Sequence, residues 1–199
     1  MTSLRHKTAE RTPADHYLDA ARACILDVGW RRTTLTEVAR RAGVSRMTIY
    51  RTWADMPRLL ADLMTREWGE LVADTTSAYE GTVPGPERVA DALVRSVRAL
   101  RDNELFVRIV ELDPELILPY LLARRGRSQE LVLEALVAAI GAGQQAGTVR
   151  EGDAPTISRA LLLAVHGFVL SAQTMVDDDV TESALEAELR RLVVEVLAP

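Results

Sequence analysis

The sequence predicts an all-α protein: an N-terminal three-helix domain carrying a helix-turn-helix, then a larger helical domain. Three observations predict it. Apolar residues recur at helical spacing along the chain, and no convincing strand pattern is present. Capping residues precede those stretches, and glycine or proline interrupts them. Between residues 33 and 60, TTLTEVARRAGVSRMTIYRTWADMPRLL, two short helices flank one tight glycine turn.

The elements follow in order. Thr12 is an N-cap, Pro13 the first helical residue, and Asp15 completes a capping box. Tyr17, Leu18, Ala21, Ile25 and Val28 give this helix a buried stripe, and Gly29 ends it. Trp30 and Leu35 close a three-helix core. Thr34 with Glu37 is a second capping box, so the next helix starts near Leu35, with Val38 and Ala39 on its apolar face. Gly43 stops it, because a sharp exit wants a left-handed residue without a Cβ. Val44 fills the corner and Ser45 caps the third helix. There Ile49 and Trp53 face inward, which leaves Arg46, Met47, Thr48, Tyr50, Arg51 and Thr52 facing out. Base edges and phosphates are hydrogen-bonding targets in a major groove wide enough for one helix. That face therefore suits double-stranded DNA. A helical hairpin with a solvated basic face gives the same pattern, and the turn alone leaves both readings open.

Asp55 caps a long fourth helix with Pro57 in its first turn, running to about residue 79. Residues 81–86, GTVPGP, form a loop. Helices follow at about 87–101 and, capped by Asn103, to about 111. Asp113 and Pro114 open another, which Pro119 bends. Gly126 breaks the chain, and Ser128 starts a helix reaching about residue 146. After a loop ending in the cap Asp153, the last two helices span about 156–176 and 181–197. The domains are expected at 1–56, with 1–12 a flexible basic arm, and at 57–199.

The first three helices and the start of the fourth resemble a known family. YLDAARACILDVGWRRTTLTEVARRAGVSRMTIYRTWADMPRLLADLM is similar to the N-terminal domain of the TetR family of bacterial transcriptional regulators. The shared pattern is a first helix ending in Gly, then T-T-[LV]-x-[ED]-[IV]-A-x-x-A-G-V-S-x-x-[TS]-[LI]-Y-x-x-F/W, covering roughly residues 14–63. The resemblance implies operator contacts from Thr34, Ser45, Arg46, Met47, Thr48, Tyr50 and Arg51. Two positions depart from the pattern. Met56 stands where members often carry a phosphate-binding lysine, so that contact is lost or moves to Arg51 or Arg58. Met47 is bulky where glycine is frequent, which implies an altered operator sequence or affinity.

Charge agrees once the chain is divided. Its formal net charge is −5. Residues 1–58 hold 11 Lys/Arg and 6 Asp/Glu, whereas residues 59–199 hold 13 and 23. The positive end is the helix-turn-helix, and local field governs approach to DNA. Arg5, Lys7 and Arg11 in the arm either reach a minor groove or phosphates, or form a tail without a role.

The family's second domain binds a small ligand and dimerises, and the resemblance implies both here. The segment ALLLAVHGFVL is apolar on every face except His166. A helix apolar all round is covered on all sides, and in a small chain one flank needs a partner. Dimerisation is expected through Leu162 and Val169 of this helix and Leu185, Leu189, Leu192, Val193 and Val196 of the last. A homodimer also suits a palindromic operator. Trp68, Phe106, Val110, Tyr120, Leu136, His166, Phe168 and Gln173 are candidate ligand contacts. For each the competing reading is ordinary core, or for His166 and Gln173 a protein partner. Few charges there favour a small, mainly apolar effector, and the resemblance implies a repressor that such an effector releases from its operator.

Other classes are weaker. Asp177, Asp178, Asp179 and Glu182 form an acidic run of the kind that binds magnesium in some helical enzymes, yet they lie between helices, where acids cap the next one. His6, His16 and His166 are scattered, no phosphate loop or nucleophile motif is present, and no metal or cofactor is expected. An interaction protein with a degenerate helix-turn-helix stays open. The single Cys24 suits a reducing compartment, residues 1–12 lack the apolar stretch of a signal peptide, and the run at 160–165 is too short to span a bilayer. A cytoplasmic protein without a membrane partner is expected.

Overall fold

The computed structural model describes residues 12–77 and 84–199. Residues 1–11 of the expected basic arm and the helix end expected near residue 79 lie outside them. Ten α-helices and no strand occur among the described residues. They are α1 Pro13–Val28, α2 Leu35–Arg41, α3 Arg46–Thr52, α4 Met56–Ser77, α5 Pro86–Arg101, α6 Glu104–Leu112, α7 Leu118–Leu122, α8 Arg127–Gln145, α9 Ala154–Ser171 and α10 Glu182–Leu197. Short 3-10 turns follow α1, α6 and α9.

The caps explain most boundaries. Thr12 and Asp15 form the reciprocal box at α1, while Ser45, Asn103, Asp153 and Thr181 each accept an amide hydrogen bond at α3, α6, α9 and α10. At α2 only half of the expected box forms. Thr34 accepts from Glu37 N, but the Glu37 carboxylate turns to Arg40, 2.6 Å away. Gly43 has φ +67°, the left-handed geometry expected of the turn. Past α6 the expected bent helix is instead a 3-10 turn at Pro114–Leu116 and the five-residue α7, since Pro119 removes an amide from so short a stretch. Val28, placed in the α1 stripe by spacing, is exposed at the helix end.

Two cores form. The first joins α1–α3 to α4 and α6 through Ile25, Ile49, Leu59, Leu63, Leu105 and Ile109, all shielded from solvent. Packing therefore does not stop at the boundary expected after residue 56. The second joins α5, α8, α9 and α10. On α10, Leu189, Val193 and Leu197 are buried in this core, and Arg98–Glu186 and Arg190–Asp91 pairs fasten α10 to α5. Leu189 and Val193, expected at a dimer interface, thus belong to the chain's own core. Their i, i+4 row is the one that α5 covers.

Candidate nucleic-acid interface and effector cavity

The α2–turn–α3 unit presents its third helix outward. Ile49 is fully buried and Trp53 nearly so, with Trp53 Nε1 donating to Asp62 on α4 at 2.8 Å. Those anchors set the rotation of α3. Arg46, Met47, Tyr50, Arg51 and Thr52 are exposed on the other side, and Thr48 is half-buried. Ser45 Oγ accepts from Thr48 N at 3.1 Å and meets Thr48 Oγ1 at 2.9 Å. Both hydroxyls sit at the N-terminus of α3, where one remaining donor can meet a phosphate. Four of the nearby arginines are engaged. Arg22, Arg31, Arg40 and Arg41 are ion-paired to Glu67, Glu115, Glu37 and Asp27. Arg46 and Arg51 have no such partner among the described residues. Two free guanidinium groups on one helix face, beside Tyr50, leave charge available for a polyanion. Thr34 is exposed at the head of α2, next to this face.

A cavity of about 470 Å³ lies where the two cores meet. Met64 and Trp68 of α4, Phe106 of α6, Ile117, Tyr120 and Leu121 wall one side. Leu93 of α5, Leu136 of α8, and Leu162, Val165, His166 and Val169 of α9 wall the other. Five of the expected ligand residues line it: Trp68, Phe106, Tyr120, Leu136 and His166. Three do not. Val110 packs on the first core and Phe168 on the second. Gln173 is exposed on the 3-10 turn, 3.4 Å from Glu182, because α9 ends at Ser171 and its periodicity stops there. Leu162 and Val169, expected to meet a partner chain, line the cavity instead. Sequence reasoning missed Gln129, whose amide bonds Gly126, Tyr120 and His166. Its bonds to Gly126 and Tyr120 are local, but the one that brings it to His166 spans 37 residues and leaves no mark in the local sequence. Burial holds the His166 pKa below the usual histidine value, and no charged group contributes.

A joint connects cavity and reading head. Asp113, almost wholly buried, accepts from Trp30 N at 3.1 Å, and its other oxygen lies 3.3 Å from Arg31 Nε. Arg31 also bonds Glu115 at 2.6 Å. The chain that makes this grip on the end of α1 continues into Ile117, Tyr120 and Leu121 in the cavity wall. Sequence reasoning saw Asp113 only as a helix opener.

The outer flank of α9 and α10 is apolar and exposed. Leu163 is 71% exposed, Leu192 and Val196 also face solvent, and Leu170 is exposed at the edge where it also lines the cavity. Ala160, Ala164 and Gly167 lie between them. With its 3-10 extension, the apolar stretch Ala154–Met175 is long enough by length and composition to cross a membrane, longer than the run at 160–165 indicated. Its other flank, Leu161, Leu162 and Val165, is buried in the protein. The acidic run is a turn: Asp177 Oδ1 accepts from Asp179 N and Val180 N, and Glu182 pairs with Arg101.

Residues 18–63 match the model of the bacterial regulatory proteins of the tetR family. An uncharacterized HTH-type transcriptional regulator of Mycobacterium tuberculosis is 35% identical over 176 residues, which cover 86% of this chain and 87% of that protein. The chain belongs to the TetR family of bacterial transcriptional regulators. The HTH-type regulator AqdR of Rhodococcus erythropolis is 31% identical over 182 residues, 85% of this chain and 78% of AqdR. FadR of Bacillus halodurans, described as a fatty acid degradation regulator, superposes with a TM-score of 0.67 at 19% identity, covering 93% of this chain and 96% of that one. FadR of Bacillus subtilis, solved with stearoyl-CoA, gives 0.66 at 19% identity, with 92% and 98% covered. Those two share the TetR-family fold with this chain. Against the family pattern, Met56 is half-buried against the first core. It serves packing where other members keep a cation.

Proposed function

We propose that this TetR-family regulator is a cytoplasmic repressor that binds a palindromic operator as a homodimer and leaves it when a small, mainly apolar effector fills the cavity. The unpaired Arg46 and Arg51 on the outward face of α3 carry the DNA half of this reading. Arg46 and Thr48 lie nearest the bases, and Tyr50 meets phosphate. Thr34, Ser45, Met47 and Arg51 complete the contact set. The apolar cavity between the cores supports the effector half. A cavity of this size accommodates a drug-sized molecule, and the FadR neighbour of Bacillus subtilis was solved in complex with stearoyl-CoA. The outward flank of α9 and α10, around Leu163, Leu170, Leu192 and Val196, supports dimerisation. A second copy covering it removes from water an apolar face that a monomer leaves exposed.

A ligand changes operator affinity only through differential affinity for two conformations, and the coupling is reciprocal. Asp113 and its grip on Trp30 and Arg31 are the proposed transmission. The test is a duplex enriched by the purified protein from a random library. It should be palindromic, and Arg46→Ala or Tyr50→Ala should weaken its binding by about 1–3 kcal/mol with the fold intact. Unchanged affinity in both variants would exclude α3 as the reading helix.

A further inference from the structure

Hydrogen bonds at one end of the cavity commit His166 to one tautomer. An amide N–H can only donate and a carbonyl oxygen can only accept. Gln129 bonds one of each, with Oε1 2.8 Å from Gly126 N and Nε2 3.1 Å from Tyr120 O. Its amide can therefore point one way only. The second N–H of Nε2 is then the group that meets His166 Nε2 at 3.3 Å. An N–H facing Nε2 needs a lone pair there, so the ring proton sits on Nδ1. Nδ1 has no hydrogen-bond partner among the described residues, although His166 lines the cavity.

The rest of the wall narrows what Nδ1–H can meet. The hydroxyls of Thr65 and Ser96 donate back to the carbonyls of Ala61 and Ala92, at 2.7 and 2.9 Å. No aspartate or glutamate lines the cavity among the described residues, so an ammonium group finds no counter-charge. The two arginines of the lining are engaged, Arg127 at 3.6 Å from both Glu130 and Glu134 and Arg88 with another group of the protein. In this tautomer His166 is neutral. A carboxylate placed against it would lose its water without gaining a cation.

We propose that His166 is a specificity-determining donor of the cavity, beside the indole N–H of Trp68, which is buried in the same lining without a hydrogen-bond partner, and that it offers Nδ1–H to a neutral acceptor, a ketone or ester carbonyl, on an otherwise apolar effector. The inference rests on the effector-cavity reading above. It has two tests. Nitrogen NMR of the histidine-labelled protein at pH 7.5 should show His166 protonated at Nδ1, and a ring protonated at Nε2 or at both nitrogens overturns the proposal. The second is displacement of the neutral fluorophore 1-aminoanthracene by 2-decanone, n-decane and decanoate. His166→Gln should weaken 2-decanone about fivefold, the loss of one neutral hydrogen bond, and leave n-decane within twofold. His166→Asn places an amide nitrogen where Nδ1 was and should keep 2-decanone within twofold of the unmodified protein. Equal weakening of ketone and alkane, or a loss confined to decanoate, overturns the proposal while leaving the cavity reading intact. If the unmodified protein binds neither fluorophore nor any probe, the cavity reading itself falls and takes the proposal with it.

Discussion

Replacing Asp113 by alanine tests the joint between the reading head and the effector domain. Its carboxylate is almost wholly buried and accepts the backbone N–H of Trp30 at 3.1 Å. Alanine leaves that part-buried donor without a partner, which costs roughly 1–3 kcal/mol. Arg31 adds little, because its side chain is 71% exposed, returns readily to water and still holds Glu115. The expected destabilisation is about 2 kcal/mol, a fall in Tm of roughly 4–8 °C for a chain of this length. Asp113→Asn keeps an acceptor for Trp30 N and should cost less than half as much. Urea denaturation of the three proteins measures this. The same variants report on transmission once an effector is in hand. The factor by which it weakens operator binding should shrink in Asp113→Ala, because the cavity wall no longer grips α1. Stability equal to the unmodified protein would refute the energetic argument. An unchanged effector factor in a destabilised Asp113→Ala would show that the signal travels by another route, such as α4.

Three further outcomes are expected. Leu163→Glu with Leu192→Glu should give a folded monomer by light scattering, whereas Leu189→Glu, which buries a charge in the chain's own core, should unfold it; dimers surviving the double change would remove this flank from the interface. Gly143→Ala should destabilise by about 1–3 kcal/mol, because a Cβ there would overlap the Val149 side chain and approach the Pro84 carbonyl oxygen to 3.1 Å; adding Val149→Ala should recover part of the loss, and no recovery would show that the backbone contact governs. For His166, burial lowers the folded pKa below an unfolded value of about 6.5, so the unfolded chain binds the proton first. Its contribution is full at pH 8 and is lost as pH falls through the unfolded pKa, so Tm should drop more between pH 8 and 5.5 in the unmodified protein than in His166→Asn; parallel profiles would count against a neutral buried imidazole.

Local chemistry made α1–α3 legible. A cap, a glycine and two inward anchors each act within a few residues, so Thr12, Ser45, Gly43, Ile49 and Trp53 could be placed from spacing alone. The effector domain was legible as helices but not as faces. On α10 both Leu189–Val193 and Leu192–Val196 are apolar i, i+4 rows, and which one turns inward depends on where α5 lies. Asp91 and Glu186 decide that by pairing with Arg190 and Arg98 across about a hundred residues of chain or fewer, beyond the range of any periodicity. Gln173 was misplaced for a related reason: once α9 tightens into a 3-10 turn, an angle of 100° per residue no longer tells where a side chain points. Gln129 and Asp113 look locally like surface and cap residues, and only their distant partners give them a role.

The position of the cavity between two cores divides its wall by how freely it can change. Met64, Phe106 and Ile117 serve the cavity and also the core that supports α3. Substitutions there alter the shape offered to an effector and the foundation of the reading head together. Leu93, Leu136 and Val165 face the same space from the other core. On the proposed reading, a lineage can acquire a new inducer by drift along α5, α8 and α9 while its operator stays fixed, and directed evolution of a sensor from this scaffold has its permissive positions on that side.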